Sequence, residues 1–567
     1  MSSFYDLASL VMIPSGKKAG KVYSQKPLTT DGQLDFTRAS TATRIGSDGN
    51  IEKTRNNNLV YSNDFSNAAW TKSASSITAN ALTSPDGTLN ASKLIEDSSN
   101  STHRISDTIV VSGSGIVYTQ SIFAKSGGSG RYLRIFRGSG TYNFAVFDLE
   151  NGTVFAEGGS NIISTKIENK GNGWYRCSLT YTTQFSNIGT YYGLQNGSSD
   201  SYTGDGSSFI YIYGAQLEQG LVATDYIDTT SAAVSVGSVD NMPRLNYTFN
   251  SATSCPSLLL EPQRTNLETK SEYFEGWSLV SNVTRTTNYA TSPEGTQNAS
   301  RLQFTANGFL GNTTLSSGTE YTLSCYAKRN DSGSQSFGFF KDGSGAVDSE
   351  MALTSNWQRF TYTYTAGNSS FAGLAASSGA DVSVFGYQIE AANFESSYIP
   401  TFGATVTRVA DVCSKTGISG LFGQTEGTLF VDTNFNGANI STSQVSMFIR
   451  QSGSNNSYVF INFYQGKLNC ALRVGGVTMF DSFQSGVLTE GRYKIGFAYK
   501  SGDTVIYMNG SQMATDVDTF GTTNYADVNV GCSSSGVNNL GDNLNQALVF
   551  KTRLTNDQLA ELTSLDS

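Results

Sequence analysis

The sequence predicts an all-β fold of tandem antiparallel β-sandwich or jelly-roll modules in an elongated chain. Only 15% of the 567 residues are charged, whereas the chain contains 58 glycines, 29 tyrosines and 33 phenylalanines. Aromatic residues favour strands and glycine favours turns, so this balance is typical of many short strands joined by tight turns. An internal repeat and a period-two alternation of side chains predict the same fold.

Residues 58–230 and 266–405 repeat each other. The motif SPDGT of the first copy returns as SPEGT in the second, and YTQSIFAK returns as YTLSCYAK. Self-similarity in several blocks of the same order indicates two homologous modules. All tryptophans of the chain fall at equivalent positions of the two copies, where we expect core residues: Trp70, Trp174, Trp277 and Trp357.

Strand-like alternation is visible inside the repeated blocks. In the first copy, Tyr118, Gln120 and Ile122 alternate with Thr119 and Ser121. Such alternation allows one face of a strand to be buried while the other meets solvent. The first copy is also longer, so we expect it to carry longer loops.

Glu218 and Glu390 occupy the same position at the ends of the two copies. A glycosidase needs two carboxylates that face each other across the cleaved bond. Equivalence between the copies instead predicts a shared structural role, in which each carboxylate accepts hydrogen bonds at the end of its module.

A third unit, which has no tryptophan, follows the repeat. Asn509 and Gly510 separate two strand-like runs and predict a type I′ hairpin. Thr555 followed by Gln558 predicts a capping box that opens a short helix. The predicted division of the chain is an N-terminal segment 1–57, modules 58–230 and 266–405, linkers 231–265 and 406–426, and the third unit 427–567.

Charge and residue usage exclude several function classes. The 37 basic and 46 acidic residues give a net charge of −9, which argues against nucleic acid, and no stretch is apolar enough for membrane insertion. Six scattered cysteines and one histidine, His103, in what we expect to be a polar loop, predict neither a metal cluster nor a catalytic triad. Asp527 and Asp542 could join a calcium site, but the oxygen-rich spacing of a dedicated loop is missing. We therefore expect no cofactor and no enzyme activity.

The N-terminus contains a short apolar run of Leu10, Val11, Met12 and Ile13. A loose apolar tail loses entropy when it becomes ordered, which favours docking on a partner surface. We expect this run to be the attachment site for a larger assembly. The alternative is that it forms the first strand of the neighbouring domain.

Tyrosine rings are the candidate ligand contacts, because sugar rings stack on exposed aromatic faces while neighbouring amides bind hydroxyls. The alternative for each ring is an inward position in a core or at a subunit contact. The candidates are Tyr191, Tyr192, Tyr202, Tyr211 and Tyr213 in the first module, and Tyr458, Tyr464 and Tyr525 in the third unit.

The repeated modules resemble the carbohydrate-binding-module-like jelly rolls, or head-spike-fibre domains, of tailed-phage virion proteins. The resemblance lies in PSLLLEPQRTNL at 256–267, in GYQIEAANFESSYIPT at 386–401 and in GAQLEQG at 214–220. The opening at 5–27 is similar to the N-terminal segment of many phage head or tail fibres. The third unit, with IGFAYKSGDTVIYMNG at 495–510, resembles concanavalin A-like or laminin-G-like sandwiches.

This resemblance implies a homotrimeric head fibre or tail fibre on the virion surface, assembled in the host bacterial cytoplasm. It implies that capsid or tail proteins of the same virion are the partners of the N-terminal segment. It also implies that the modules adhere to host-surface or mucosal polysaccharide. Two alternatives stay open: a glycan depolymerase tailspike, and a purely structural capsid decoration protein.

Overall fold

The computed structural model describes residues 2–110, 113–137, 143–437, 443–533 and 539–565. The predicted all-β class of tandem sandwich modules is confirmed. Within these ranges the α-helices are Ser2–Leu7 and Asn556–Thr563, and three short 3-10 turns are Thr30–Gly32, Phe274–Gly276 and Ser419–Leu421. Neither α-helix is long enough to cross a membrane.

The first module is a sandwich of two six-stranded antiparallel sheets. Its core includes Trp70, Ile122 and Tyr192, each at most 1% exposed. One sheet has the strand order Ile162–Gly171, Trp174–Thr182, Val117–Ser126, Phe209–Gln219, Leu89–Glu96 and Ser75–Thr83. The other has the order Thr153–Gly158, Asn143–Asp148, Arg131–Arg137, Asn187–Asn196, Arg104–Val110 and Thr71–Ser73.

The second module uses the same strand order, but two long strands pass through both layers. The strand Ala299–Thr314 pairs with Asp381–Glu390 through its first half and with Phe371–Ala376 through its second half. The other strands of the module are Leu279–Ala290, Glu320–Arg329, Phe337–Phe340, Ser349–Glu350 and Gln358–Thr365. The first module has two strands without a counterpart here, Thr153–Gly158 and Ile162–Gly171, which account for its extra length.

The C-terminal sandwich is built from all parts of the chain rather than from 427–567 alone. One sheet contains Leu10–Met12, Arg244–Asn246, Ser257–Leu260, Asp542–Phe550, Glu426–Phe435, Gly491–Lys500, Thr504–Met508 and Ser511–Asp516. The other contains Gly16–Lys18, Lys21–Tyr23, Gln33–Thr37, Val412–Lys415, Tyr525–Val530, Gln444–Gln451, Tyr458–Tyr464, Lys467–Val474 and Val477–Phe483.

The prediction of a loose docking tail at the N-terminus is wrong. Leu10, Val11 and Met12 form a strand that pairs with Val549, Leu548 and Ala547, and they are at most 3% exposed. Ile13 packs against the same core. Three of the four apolar residues therefore form a strand of the sandwich, because burial against Asp542–Phe550 removes their surface from water.

The predicted linkers are not free connections. The range 231–265 contributes Arg244–Asn246 and Ser257–Leu260 to one sheet of the sandwich, and 406–426 contributes Val412–Lys415 to the other. Because the chain returns to the sandwich after each module, both modules are insertions into it.

Short two-stranded ribbons link the segments that enter and leave each module. The ribbon at the first module pairs Arg55–Asn57 with Val234–Val236, and that at the second pairs Arg264–Asn266 with Val406–Arg408. Two further ribbons pair Thr43–Ile45 with Ile51–Lys53, and Asn100–Ser101 with Tyr202–Thr203.

Two predictions for the third unit are confirmed, the type I′ hairpin turn and the capping box. Asn509 and Gly510 have φ angles of 49° and 81° and join Thr504–Met508 to Ser511–Asp516, as a type I′ turn requires. Thr555 accepts a hydrogen bond from the backbone N–H of Gln558, whose side chain accepts one from the backbone N–H of Thr555.

A buried ionic network joins the three segments that connect the modules to the sandwich. Arg38 of the N-terminal segment donates to Asp411 of the last connector over 3.2 Å, and Arg244 of the middle connector also contacts Asp411. Glu261 lies 2.6 Å from Arg244 and 2.8 Å from Arg408. All five side chains are at most 3% exposed.

We predict that Asp411→Ala destabilises the chain by about 3–5 kcal/mol, because it leaves the buried Arg38 guanidinium without its carboxylate and removes one of the two carboxylates that pair with Arg244. Urea unfolding followed by circular dichroism measures this change. The control is Asp35→Ala, whose partner Lys21 is partly exposed, and it should cost less than about 1 kcal/mol. Equal effects of the two variants would contradict the role of the network.

Candidate functional site

Several predicted ligand contacts lie in cores. Tyr192 and Tyr525 are fully buried and Tyr202 is 8% exposed. The Tyr192 hydroxyl donates to the carbonyl of Ser121 over 3.0 Å, and the Tyr202 hydroxyl donates to Glu96 over 2.6 Å. The prediction of a ligand contact is therefore wrong for these three, because the rings of Tyr192 and Tyr525 lie in the sandwich cores and that of Tyr202 is buried against His103 and Arg131. Tyr213, at 6% exposed, is also covered.

Four other predicted contacts are half-buried: Tyr191, Tyr211, Tyr458 and Tyr464. Tyr458 stacks beside Phe460 with a centroid distance of 5.6 Å, and Tyr464 meets the edge of Phe483 at 6.0 Å. Tyr191 differs from the others because it belongs to a larger aromatic surface that arginines cover.

This surface, the outer face of the first module, is the side of the sheet that points away from the core. In the strand Arg131–Arg137, Leu133 and Ile135 point into the core, so Arg134 and Phe136 point outward. Tyr191 lies opposite Phe136 on the neighbouring strand, and the two rings stack at 4.8 Å with an interplanar angle of 15°.

Two arginines lie over these rings. The Arg104 guanidinium is 4.9 Å from the centroid of Tyr191, and that of Arg134 is 4.7 Å from the centroid of Phe136. Arg134 is ion-paired with Asp200. The Arg104 guanidinium has no carboxylate within salt-bridge distance among the described residues, and it lies over the aromatic faces of Tyr191 and Phe136.

Two glycines beside Tyr191 leave room for the side chains of this face to pack on the strand. Gly193 lies between Arg104 and Arg134, since each of them pairs with it across a strand. A Cβ atom at Gly189 would meet the Tyr191 ring at 2.5 Å, so the ring lies flat over this glycine. The face therefore brings a half-buried aromatic ring and a cation together at one place.

The corresponding face of the second module has different chemistry. Phe309, Phe340 and Phe371 form a cluster there, with centroid distances from 5.5 to 5.8 Å. Phe340 is fully buried. The two copies thus share a scaffold but not a surface, and the arginine and tyrosine combination belongs to the first copy.

The repeated tryptophans make equivalent contacts. The indole N–H of Trp70 donates to the carbonyl of Tyr61, and that of Trp277 donates to the carbonyl of Lys270, each over 3.0 Å. In the second equivalent pair, the indole N–H of Trp174 donates to the carbonyl of Thr83 and that of Trp357 donates to the carbonyl of Thr291. Trp174 is buried. Trp357, in contrast to the expectation, is only half-buried.

The two equivalent glutamates accept the same set of hydrogen bonds. Glu218 accepts from the backbone N–H and hydroxyl of Thr224 and from Gln216. Glu390 accepts from the backbone N–H and hydroxyl of Ser396 and from Gln388. Burial raises the pKa of both carboxyls. Each carboxylate fixes the turn that follows the last strand of its module.

The other candidates for catalysis or metal binding do not form a common site among the described residues. His103 is buried, not in an open loop, and its ring nitrogens contact the carbonyls of Ala74 and Tyr202. Asp527 contacts the backbone N–H of Gly417. Asp542 lines a separate cleft of about 510 Å³ between the second module and the sandwich, and burial raises its pKa to about 7. Across the described residues no three metal-ligating side chains come together.

No protein-family model and no curated protein matches this chain. Part of the chain is similar to the CBM40 domain of the Ruminococcus gnavus IT-sialidase, with a TM-score of 0.23, 13% identity, and coverage of 26% of this chain and 91% of that one.

Part is also similar to the NanB sialidase from Streptococcus pneumoniae, with a TM-score of 0.22, 14% identity, and coverage of 27% of this chain and 26% of that one. A third similar structure is the receptor-binding domain of botulinum neurotoxin mosaic serotype C/D, with a TM-score of 0.21, 13% identity, and coverage of 27% of this chain and 40% of that one. At TM-scores and identities this low, the similarities do not indicate a function for this chain.

We predict that Glu218→Ala and Glu390→Ala each destabilise their module by about 2–3 kcal/mol, because buried donors lose their acceptor. Urea unfolding followed by tryptophan fluorescence reports on the modules, since all tryptophans lie there. Glu350→Ala, at an exposed glutamate of the second module, should change stability by less than about 0.5 kcal/mol. Unchanged unfolding of both buried-site variants would rule out the structural role.

Proposed function

We propose that this chain is a non-enzymatic structural subunit of a tailed-phage virion, a homotrimeric head or tail fibre that adheres to host or mucosal glycans. The observation that carries the adhesive part is the outer face of the first module. There a half-buried tyrosine ring lies beside an arginine that has no carboxylate partner among the described residues. The resemblance to phage fibre modules supports the virion part.

The chemistry of this face suits a sugar with an acidic group. A pyranose ring stacks its C–H surface on Tyr191, and the Arg104 guanidinium binds a carboxylate in a charge-assisted geometry. One such site is weak, but several copies on a fibre bind the same surface together and raise the avidity.

Attachment to the virion needs a surface other than the buried strand Leu10–Met12. Leu7 and Leu28 of the N-terminal segment are 55% and 86% exposed. Leu7 lies within the opening 5–27, which resembles fibre N-termini, and Leu28 directly follows it. We propose that they contact capsid or tail proteins of the same virion.

The face gives a direct binding prediction. Tyr191→Ala and Arg104→Gln should each weaken binding to acidic polysaccharide at least tenfold per site, which corresponds to about 1.4 kcal/mol. A glycan array followed by titration of the positive glycans measures this loss. Tyr458→Ala is the control, because Tyr458 is a half-buried tyrosine of the sandwich.

Binding that survives the first two variants but fails in Tyr458→Ala would move the site to the sandwich. No binding to any glycan would favour a decoration protein. New reducing ends released from capsular or mucin polysaccharide would favour a depolymerase.

The assembly gives a second prediction. Light scattering of the purified chain should report three times its mass of 60.7 kDa, and antibody labelling of intact particles should place it on the virion surface. Leu7→Ser combined with Leu28→Ser should leave the trimer intact but remove it from particles. A monomer that is absent from particles would contradict the fibre assignment.

A further inference from the structure

A cleft of about 430 Å³ lies between the first and second modules. Its walls come from four places in the chain: the segment that enters the first module, the turn after that module's last strand, the SPEGT turn of the second module, and the segment that leaves the second module. Its volume falls within the range of ordinary small-ligand sites. The residues that carry the argument are Lys53, Thr54, Glu294 and Phe402.

The cleft contains an uncompensated buried charge. The Lys53 ammonium lies 3.0 Å from Glu272 and 2.9 Å from Glu294, so one cation faces two carboxylates. The Lys53, Glu272 and Glu294 side chains are 10%, 0% and 5% exposed. Both oxygens of Glu272 have further donors, from Tyr398 and Asn298.

Two polar atoms of residues at the cleft have no hydrogen-bond partner in the described part of the chain. They are the buried Oε1 of Glu294 and the buried hydroxyl of Thr54. Both residues line the cleft. A buried polar atom without a hydrogen-bond partner costs free energy. A ligand hydroxyl that forms hydrogen bonds with these atoms removes that cost when it binds.

The repeat shows that the fold itself does not require this vacant acceptor. Asp86 occupies the position of Glu294 in the first module, and both its oxygens are hydrogen-bonded, by Ser84, Thr88 and Asn90 and by the hydroxyl of Tyr213. The longer glutamate side chain in the second module reaches Lys53 instead and keeps one oxygen unpaired.

An aromatic ring completes the site. Phe402 lines the cleft and is half-buried, and the Lys53 ammonium lies 5.2 Å from its ring centroid. An aromatic face beside a free carboxylate oxygen and a free hydroxyl is the combination that stacks a sugar ring and binds its hydroxyl groups.

We propose that this cleft is a second saccharide-binding site, which takes a neutral sugar whose hydroxyl donates to Oε1 of Glu294. When Glu294 is ionised, Glu272 and Glu294 carry one negative charge more than Lys53, which repels acidic sugars, whereas Arg104 attracts them at the outer face. The chain therefore presents two sites of opposite charge preference, on separate surfaces.

The test uses the full chain and a panel of neutral disaccharides, namely lactose, maltose, cellobiose and N-acetyllactosamine, with sialyllactose as the acidic comparison. Saturation-transfer NMR and calorimetry at pH 8 should detect millimolar or tighter binding of at least one neutral sugar. Glu294→Gln should weaken that binding at least tenfold. Phe402→Leu, which keeps apolar packing but removes the aromatic face, should also weaken it.

The controls separate this site from the outer face of the first module. Asp86→Asn changes the equivalent position of the other copy and should leave neutral-sugar binding unchanged. Tyr191→Ala should abolish binding of acidic sugars without affecting the cleft. Each variant is accepted only if its thermal unfolding midpoint stays within a few degrees of the parent.

The pH dependence gives an independent readout. Burial raises the pKa of Glu294 to about 7, with Lys53 lowering it and Glu272 raising it, and Glu218 and Arg55 line the same cleft. A sugar hydroxyl that donates to the carboxylate favours the ionised form. Affinity should therefore rise severalfold from pH 6 to pH 8 in the parent and stay flat in Glu294→Gln.

Two results would overturn the proposal. One is that no neutral sugar of the panel binds the parent chain at millimolar concentration. The other is that Glu294→Gln and Phe402→Leu bind the neutral sugar as the parent does. Loss of acidic-sugar binding alone would concern only the outer face and would leave this site intact.

Discussion

The buried contacts among Arg38, Arg244, Arg408, Glu261 and Asp411 hold the molecule together at the point where both modules leave the sandwich. Although burial alone would raise the pKa of Glu261, Arg408 and Arg244 hold it well below its usual range. Each of the three connecting segments supplies at least one member of the network. Because charges this deeply buried are tolerated only with their partners in place, the segments cannot separate independently. The arrangement of the modules follows from this constraint.

Duplication of one module produced two surfaces with different chemistry. The cores, the indole contacts and the glutamate-centred turns are nearly the same in both copies. The outer face of the first copy presents Arg104 and Tyr191, whereas the second presents three phenylalanines. Where Asp86 satisfies its own turn, Glu294 reaches across to Lys53 of the N-terminal segment. The two modules thus differ mainly in the side chains that point away from their cores, and both proposed binding sites are formed by such side chains.

The repeat, the Asn509-Gly510 turn and the Thr555 capping box could be predicted from sequence because each depends on residues close together in the chain. The strands Leu10–Met12, Arg244–Asn246 and Val412–Lys415 could not, since three or four residues show no period and their partners lie far along the chain. Alternation reveals that a strand has two faces but not which is inner, so the sequence offers both Tyr191 and Tyr192 as ligand contacts, although only Tyr191 lies on the outer face. The unpartnered Oε1 of Glu294 could not be predicted from the sequence, because it depends on Lys53, which lies far from Glu294 in the chain.

The insertion of both modules into one sandwich is tested most directly by hydrogen-exchange mass spectrometry of the intact chain. The account predicts that the amides of Leu10–Met12 and Val412–Lys415 exchange as slowly as those of Asp542–Phe550, and that in Asp411→Ala the Val412–Lys415 strand loses protection first. Exchange of Leu10–Met12 and Val412–Lys415 at the rate of an unstructured peptide, with Asp542–Phe550 still protected, would contradict it.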